Sequence, residues 1–238
     1  MIEPLQREFG WQNADISFAL AVRLVLFGLM GPFAAAFMNR FGIRNVVVTA
    51  LAFIAAGLFG SLFMTEIWQL VLLWGVVTGL GTGMTALVLG ASVATRWFSA
   101  RRGLVVGMLT ASTATGQLVF LPLLATLTSQ IGWRAALAFV LVMLMLALTA
   151  VLFLMRDYPA DLGLPRYGEM EKTEIPARQH GLATLMLSPL VALRDAARTY
   201  TFWVLFATFF ICGLSTNGLI QTHWVTLCGD FGVAPVGA

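Results

Sequence analysis

The sequence predicts an all-α fold, a polytopic bundle of membrane-spanning helices, and three observations support that class. Of the 238 residues, 59% are hydrophobic and only 11% are charged, and the mean hydropathy is +0.88. Soluble domains are closer to half apolar and a quarter charged. The apolar residues form long unbroken runs, and the basic residues gather in the connections between them. A soluble enzyme and a nucleic-acid-binding protein are therefore excluded, despite an isoelectric point near 9.3.

The apolar runs are interpreted as transmembrane helices. A bilayer core of roughly 30 Å needs about 20 apolar residues of helix. Helices are expected because backbone groups in lipid must be hydrogen-bonded within their own segment, and the runs lack the alternation of barrel strands. Six runs are long enough to span, at residues 16–38, 46–64, 68–95, 104–128, 135–155 and 201–226.

The spacing of these runs predicts three parts. Residues 1–155 form a bundle of five spans, residues 156–200 form a linker, and residues 201–238 hold the sixth span and a loop. Within the linker, 156–187 is expected to be loop. Ser188 and Pro189 suit the N-cap and first position of a short helix that runs through Arg198. The linker either couples two moving halves or is a passive tether, and its sequence does not separate the two.

The positions of Lys and Arg predict the orientation. The loops after the first and third spans and the 156–200 linker hold eleven basic residues, the opposite side holds Arg7 and Arg134, and Arg23 lies within a span. Basic residues concentrate on the cytoplasmic side of membrane proteins. We therefore expect a multi-pass protein of the inner (plasma) membrane, with both ends of the chain outside and 156–200 in the cytoplasm.

The third span contains a row of small residues. Gly75, Gly79 and Gly83 recur at four-residue spacing, which lets two helix backbones approach closely. The row predicts a helix that slides against a neighbour, or one that packs statically.

The fourth span carries polar residues on one face. Thr110, Thr113 and Gln117 follow an i, i+3, i+7 pattern. They predict a polar cavity in which Thr113 and Gln117 contact substrate. Alternatively, the hydroxyls bond to their own helix and Gln117 bonds to a neighbouring helix.

Four further polar residues fall within spans. Asn217 and Gln221 could present amides to a substrate carboxylate or hydroxyl, and His223 is either a proton carrier or a solvated interfacial histidine. Arg23 is the one charge inside a span. It is either a functional group with a partner or a side chain that extends to the headgroups.

Enzymatic chemistry is not expected. The sequence shows no metal-ligand cluster, no nucleophile–base pair and no phosphate-binding loop, and no cofactor is predicted. The histidines, His180 and His223, fall on opposite sides of the membrane. Cys212 and Cys228 lie in or beside one apolar run and support neither a disulfide framework nor a metal site.

Four passages of the sequence are distinctive in combination: EFGWQNADIS (Glu8–Ser17), NRFGIR (Asn39–Arg44), RWFSARRGLVVGM (Arg96–Met108) and, after GWR (132–134), RDYPADLGLPRYGE (Arg156–Glu169). Together they resemble the major facilitator superfamily, in a bacterial branch similar to monocarboxylate and oxalate–formate carriers. The resemblance implies that the six spans correspond to helices two to seven of a carrier. The first helix and the last five would be missing, and these remaining helices would be needed for a complete fold.

The resemblance also implies cytoplasmic gating loops. Their residues would be Asn39, Arg40, Gly42, Arg44, Arg101, Arg102 and Gly103. Asn39 replaces the family's loop aspartate, which puts the charge pairing of that loop in doubt, and the arginines are equally explained as positive-inside residues. Gly42 is expected in a tight turn. The antiporter signature G-P-x-x-G-G is absent from 104–128, which disfavours proton antiport.

The resulting hypothesis is part of a secondary active transporter. It would move a small organic, anionic, monocarboxylate-like solute by alternating access, with a symported proton as a candidate partner beside the solute and the lipid bilayer. The alternative is a non-transporting truncated membrane fragment or an assembly partner.

Overall fold

The computed structural model describes residues 2–85, 87–169 and 182–216. Apart from one isolated bridge between Phe98 and Tyr167, the regular structure of these residues is helical, which confirms the predicted fold class. The helices are α1 (Ile2–Phe9), α2 (Asn13–Phe41), α3 (Ile43–Ser61), α4 (Ile67–Leu70), α5 (Thr78–Thr85), α6 (Leu87–Trp97), α7 (Arg102–Ile131), α8 (Trp133–Leu154), α9 (Leu182–Ala196) and α10 (Tyr200–Gly213).

Five helical stretches in the described residues are long and apolar enough to cross a membrane. They are Asn13–Phe41, Ile43–Ser61, Ile67–Trp97, Arg102–Ile131 and Trp133–Leu154. A sixth is obtained if Leu187–Ala196 and Tyr200–Thr216, which meet at a bend of 102°, are counted as one broken span. The second half of the predicted sixth span, beyond Thr216, lies outside the described residues.

Glycines in an unusual backbone conformation separate two pairs of long helices. Gly42, with φ of 88°, ends α2 and precedes α3, and Gly132, with φ of 90°, stands between α7 and α8. Only glycine adopts such angles without a steric penalty from a Cβ atom. The tight turn predicted at Gly42 is confirmed.

The third span is not the uniform α-helix that the run 68–95 predicts. Between α4 and α5 the chain forms a π-helix over Val71–Val77. The widened turn is stabilised because the carbonyl of Leu73 accepts from both the backbone N–H and the hydroxyl of Thr78, the latter at 2.8 Å. Thr78 lies five residues after Leu73, the spacing of a π-helical hydrogen bond, and its hydroxyl adds a second hydrogen bond to the Leu73 carbonyl.

Two apolar clusters lie at opposite ends of the bundle. One joins α1 to the beginnings of α2 and α8 and includes Leu5, Ile16 and Trp133. The other joins the end of α2 to the beginning of α3 and includes Met38 and Ile43. Between the two clusters, α5 packs closely against both α2 and α3.

The linker departs from its prediction at two places. Pro159–Leu162 forms a 3₁₀ turn within the expected loop, and α9 begins at Leu182 rather than at Pro189. Ser188 and Pro189 therefore lie inside α9, and the predicted N-cap is wrong. Because the apolar residues before Ser188 already form helix and α9 packs against α2, the proline is accommodated in the helix interior, where it costs one backbone bond.

Candidate functional site

The glycine row of the third span lies against α2. A Cβ atom on Gly75 would come within 3.2 Å of the Ala19 carbonyl oxygen, and one on Gly79 within 3.2 Å of the Cα of Arg23. On Gly83 it would come within 2.6 Å of the Met30 Cβ. The absent side chains therefore allow the two backbones to touch along about two helical turns.

Arg23 lies at this contact. Its backbone packs on Gly79, and its side chain is only partly buried. Among the residues that the structure describes, no carboxylate forms an ion pair with its guanidinium. The structure thus holds a cation in the first half of α2, ten residues after its start at Asn13, without a protein counter-ion in the described part of the chain.

The polar face predicted on the fourth span is exposed on α7. The hydroxyls of Thr110 and Thr113 donate to the carbonyls of Val106 and Leu109, at 2.9 and 3.2 Å, as the alternative interpretation expects. Gln117 is exposed on the same face.

A shallow groove also runs along α7, with its lining centred on Ser112, Thr115 and Val119. Successive residues of an α-helix are rotated by about 100° around its axis. These positions therefore lie on the opposite side of α7 from Thr110, Thr113 and Gln117. The structure therefore does not bring Thr113 and Gln117 into this groove.

The remaining predicted substrate contacts, Asn217, Gln221 and His223, lie outside the described residues.

The most developed polar arrangement lies at one end of the bundle, which we call the basic end. It comprises the α2–α3 turn, the connection between α6 and α7, and the residues after α8. Arg96 is its centre and is only 7% exposed. Its guanidinium donates to the Met38 carbonyl at 2.8 Å and to the Asn39 amide oxygen at 3.0 Å, and it lies 4.7 Å from the centre of the Tyr158 ring.

Asn39 therefore keeps a bond to Arg96 although it lacks a charge. One buried guanidinium nitrogen of Arg96, Nη1, has no acceptor among the described residues. A neutral amide and a carbonyl satisfy only part of this donor set, so the cation is held more weakly than a carboxylate at position 39 would hold it.

Asp157 supplies a carboxylate at the basic end, but to a different partner. Its Oδ1 accepts the backbone N–H of Arg44 at 2.8 Å, so it caps the first turn of α3 from the far end of α8. A Cβ on Gly42 would collide with this carboxylate. The Arg44 side chain donates in turn to the Leu152 carbonyl of α8.

The other predicted gating residues are arranged less tightly. Arg40 lies with its guanidinium 5.3 Å from the Phe41 ring centre. Arg101 has left-handed backbone angles at the start of α7, and Arg102 donates to the Phe98 carbonyl at 2.7 Å. Gly103 has open space around it. Asn39, Gly42 and Arg44 thus lie beside Arg96 or Asp157, whereas Arg101, Arg102 and Gly103 lie at the start of α7, in another part of the basic end.

At the opposite end, Glu8 joins α1 to α8. Its carboxylate accepts from the Trp133 indole N–H and forms an ion pair with Arg134. These contacts hold the pKa of Glu8 below its ordinary value. The Trp133 hydrogen bond is the largest cause, desolvation opposes it as the second largest, and the hydrogen bond and charge of Arg134 lower the pKa further.

Sequence reasoning missed Asp157, Tyr158 and the central role of Arg96. Asp157 and Tyr158 belong to the motif RDYPADLGLPRYGE, which indicates the family but not their contacts. A carboxylate directly after the fifth span, on the same predicted side as the arginines of the α2–α3 turn, was the available signal. Its partner was not predictable, because that partner is a backbone N–H.

These features define a class: a polytopic helical membrane protein whose helices are held together by small-residue packing in the middle and by polar contacts at both ends. A model of the family described as the Major Facilitator Superfamily matches residues 1–236. The chain belongs to the major facilitator superfamily, which confirms the resemblance found in its motifs.

Relatives in this family include named transporters. The chain is 34% identical to monocarboxylate transporter 4 of Gallus gallus over 137 residues, which is 55% of this chain and 27% of that protein. It is 27% identical to human monocarboxylate transporter 7 over 136 residues, 57% of this chain and 26% of that protein. The uncharacterized MFS-type transporter YcxA of Bacillus subtilis is 21% identical over 234 residues, 98% of this chain and 53% of that protein.

The alignments with these relatives thus span between about a quarter and about half of the relatives' length. The family assignment favours a membrane transport protein over an enzyme.

Proposed function

We propose that this chain is part of a secondary active transporter that moves a small anionic, monocarboxylate-like solute by alternating access. The observation that carries the proposal is Arg23, a cation within α2 that has no ion-pair partner among the described residues. A charge within a membrane span is energetically costly unless it is paired or solvated, and it therefore indicates a functional site. A carboxylate solute would provide that partner, with charge-assisted hydrogen bonds.

Two further features support the substrate class. Relatives at 27% and 34% identity are named monocarboxylate transporters. On α7, Gln117 and Thr113 form a polar face that is exposed in this structure and is available to line a cavity with other helices. Asn217, Gln221 and His223 are proposed to line the same cavity.

The proposed movement needs a first bundle that moves as one body. The close contact of Gly75, Gly79 and Gly83 with α2 lies within that bundle and is proposed to hold it together. The rest of the mechanism follows the sequence hypothesis: residues 1–155 form one bundle, 156–200 is the cytoplasmic linker, and 201–238 begins a second bundle. Rocking of the two bundles around a site near the midplane would alternate access. The membrane is proposed to be the inner (plasma) membrane, with a symported proton as the coupling ion.

Uptake of radiolabelled lactate, oxalate and formate into proteoliposomes tests the proposal. Two proteins are compared: this chain alone, and this chain completed by the part of YcxA that lies outside the alignment. Saturable uptake that excess unlabelled acid competes away supports transport. Saturable uptake by the completed protein alone supports the need for the remaining helices.

An Arg23→Gln variant, with Arg134→Gln as a control that removes a cation outside the spans, connects the transport to the proposed site. We expect the Arg23 variant to raise the apparent KM at least about tenfold, the loss expected when a charge-assisted contact is replaced by a neutral one. If neither protein shows saturable uptake of any acid, the alternative of a non-transporting fragment or assembly partner is favoured.

A further inference from the structure

The fifteen residues after α8, Met155 to Glu169, do not extend away from the bundle. Pro159 is buried, and a 3₁₀ turn over Pro159–Leu162 folds the segment back on itself. Tyr158 donates its backbone N–H to the Asp161 carboxylate at 3.0 Å, which fixes the start of that turn. The segment is therefore ordered by local contacts before it meets the helices.

Its first anchor is Asp157 at the beginning of α3. The carboxylate accepts the Arg44 N–H at 2.8 Å and occupies the space beside Gly42 that any side chain would fill. The first turn of a helix has N–H groups without intrahelical partners, and a carboxylate there also interacts favourably with the helix dipole. This contact ties the end of α8 to α3 across 113 residues of sequence.

Its second anchor is Tyr158 on the end of α6. The centre of the Tyr158 ring lies 4.7 Å from the guanidinium carbon of the buried Arg96. The same guanidinium donates hydrogen bonds to Met38 and Asn39 of α2. A desolvated cation over an aromatic face is attracted by the ring quadrupole. The segment is thereby joined to α6 and, through Arg96, to α2.

Its third anchor is Tyr167 on the connection between α6 and α7. The Tyr167 N–H donates to the Trp97 carbonyl at 2.9 Å, and its carbonyl accepts from Ser99 and Ala100 at 3.0 and 3.2 Å. The rings of Phe98 and Tyr167 also pack, with centres 5.8 Å apart. Three backbone hydrogen bonds make this a short piece of parallel pairing.

We propose that Met155–Glu169 is a clamp that fixes the basic-end turns of α2, α3, α6 and α7 into one rigid unit, with Asp157 as its positioning residue. The segment directly after the fifth span then moves together with the helices that it joins. The clamp itself stands on the contacts above, and only its consequence for transport rests on the proposed function. For Met155–Glu169 the clamp differs from both interpretations of the linker, since the segment would neither couple two moving halves nor act as a passive tether.

Hydrogen–deuterium exchange on the full chain in detergent tests the clamp without any transport measurement. In the wild type, we expect slow exchange in peptides that cover Arg44, Ser99 and Tyr167. Asp157→Ala should speed exchange at all three sites by about fivefold, the change that corresponds to loss of one helix cap. Asp157→Asn should restore slow exchange, because asparagine caps a helix nearly as well as aspartate.

The control is Asp195→Ala, which removes an exposed carboxylate on α9 that the clamp does not use. It should leave all three peptides unchanged. Faster exchange at Arg44 alone in Asp157→Ala would reduce Asp157 to a local cap and overturn the clamp. Exchange at Tyr167 in the wild type as fast as in an unstructured peptide would overturn it as well.

A disulfide provides the link to function. Phe98→Cys and Tyr167→Cys, in a chain with Cys212 and Cys228 changed to Ser, place two thiols on bridge partners. We expect the disulfide to form under mild oxidation, and uptake by the completed protein to stay within about twofold of the reduced form, since a rigid unit is unaffected by a bond within it. Uptake that is lost on oxidation and restored by reductant would show that the segment detaches during the cycle, which contradicts the clamp. If neither form transports, the proposed function fails, whereas the exchange result still decides the clamp.

Discussion

Replacement of Gly81 by alanine should separate α5 from α3. A Cβ atom at position 81 would lie 2.7 Å from the Ala50 carbonyl oxygen, 2.7 Å from Cγ1 of Ile54 and 3.2 Å from its backbone nitrogen. Two of these three atoms are backbone, so rotation of a side chain cannot relieve the overlap. Ordinary contact starts near 3.4 Å, and the helices must therefore move apart by several tenths of an ångström.

The expected cost follows from two opposing effects. Overpacking of a close-packed contact destabilises by about 1–3 kcal/mol, whereas alanine in place of glycine inside a helix stabilises by about 0.5–1 kcal/mol. We expect a net loss of about 1–2 kcal/mol in the free energy of unfolding. Gly107→Ala on α7 is the matched control, because a Cβ atom there meets nothing within 4 Å. This variant should raise the free energy of unfolding by about 0.5–1 kcal/mol.

Reversible unfolding in mixed micelles, followed by tryptophan fluorescence and by far-ultraviolet circular dichroism, measures both variants. The two substitutions are chemically identical, so a difference in sign isolates the packing. Equal stability of the two variants would refute the argument that α5 and α3 are in backbone contact at Gly81.

Further predictions concern the ends and the middle of the bundle. Asn39→Asp places a carboxylate at 3.0 Å from Arg96 and should raise the free energy of unfolding by about 1 kcal/mol; a lower thermal midpoint would show that desolvation dominates instead. Because the pKa of Glu8 is lowered, chiefly by the Trp133 indole, its stabilisation is complete above the ordinary pKa of a glutamate and is lost as the pH falls through the lowered value. The thermal midpoint should therefore drop in that acidic range in the wild type and stay flatter in Glu8→Gln; parallel curves would assign the acid sensitivity elsewhere. Arg23→Gln should also remove any thermal stabilisation of the completed protein by millimolar lactate, and stabilisation that persists would place the carboxylate elsewhere.

Composition and hydropathy were sufficient for the fold class, because both depend on the bilayer and not on the details of packing. The turn at Gly42 was located by the motif NRFGIR, because glycine adopts positive φ angles without a steric penalty. The π-helix at Val71–Val77 was not predictable from periodicity, because it depends on one carbonyl bonded twice by Thr78.

The candidate site was predicted less completely, for a physical reason. Patterns within one helix identified the polar face of Thr113 and Gln117, but they do not show which face other helices cover. The clamp depends on contacts between residues far apart in sequence, such as Asp157 with the backbone of Arg44. A backbone donor has no sequence signature, so this part of the arrangement needed the structure.

Uptake of labelled lactate, oxalate and formate by the chain completed with the remaining part of YcxA tests the central claim most directly. We expect saturable uptake of at least one acid, which excess unlabelled acid competes away and which Arg23→Gln weakens but Arg134→Gln does not. Uptake that increases linearly with concentration, with no competition, from a protein that runs as a single folded species in detergent would contradict it.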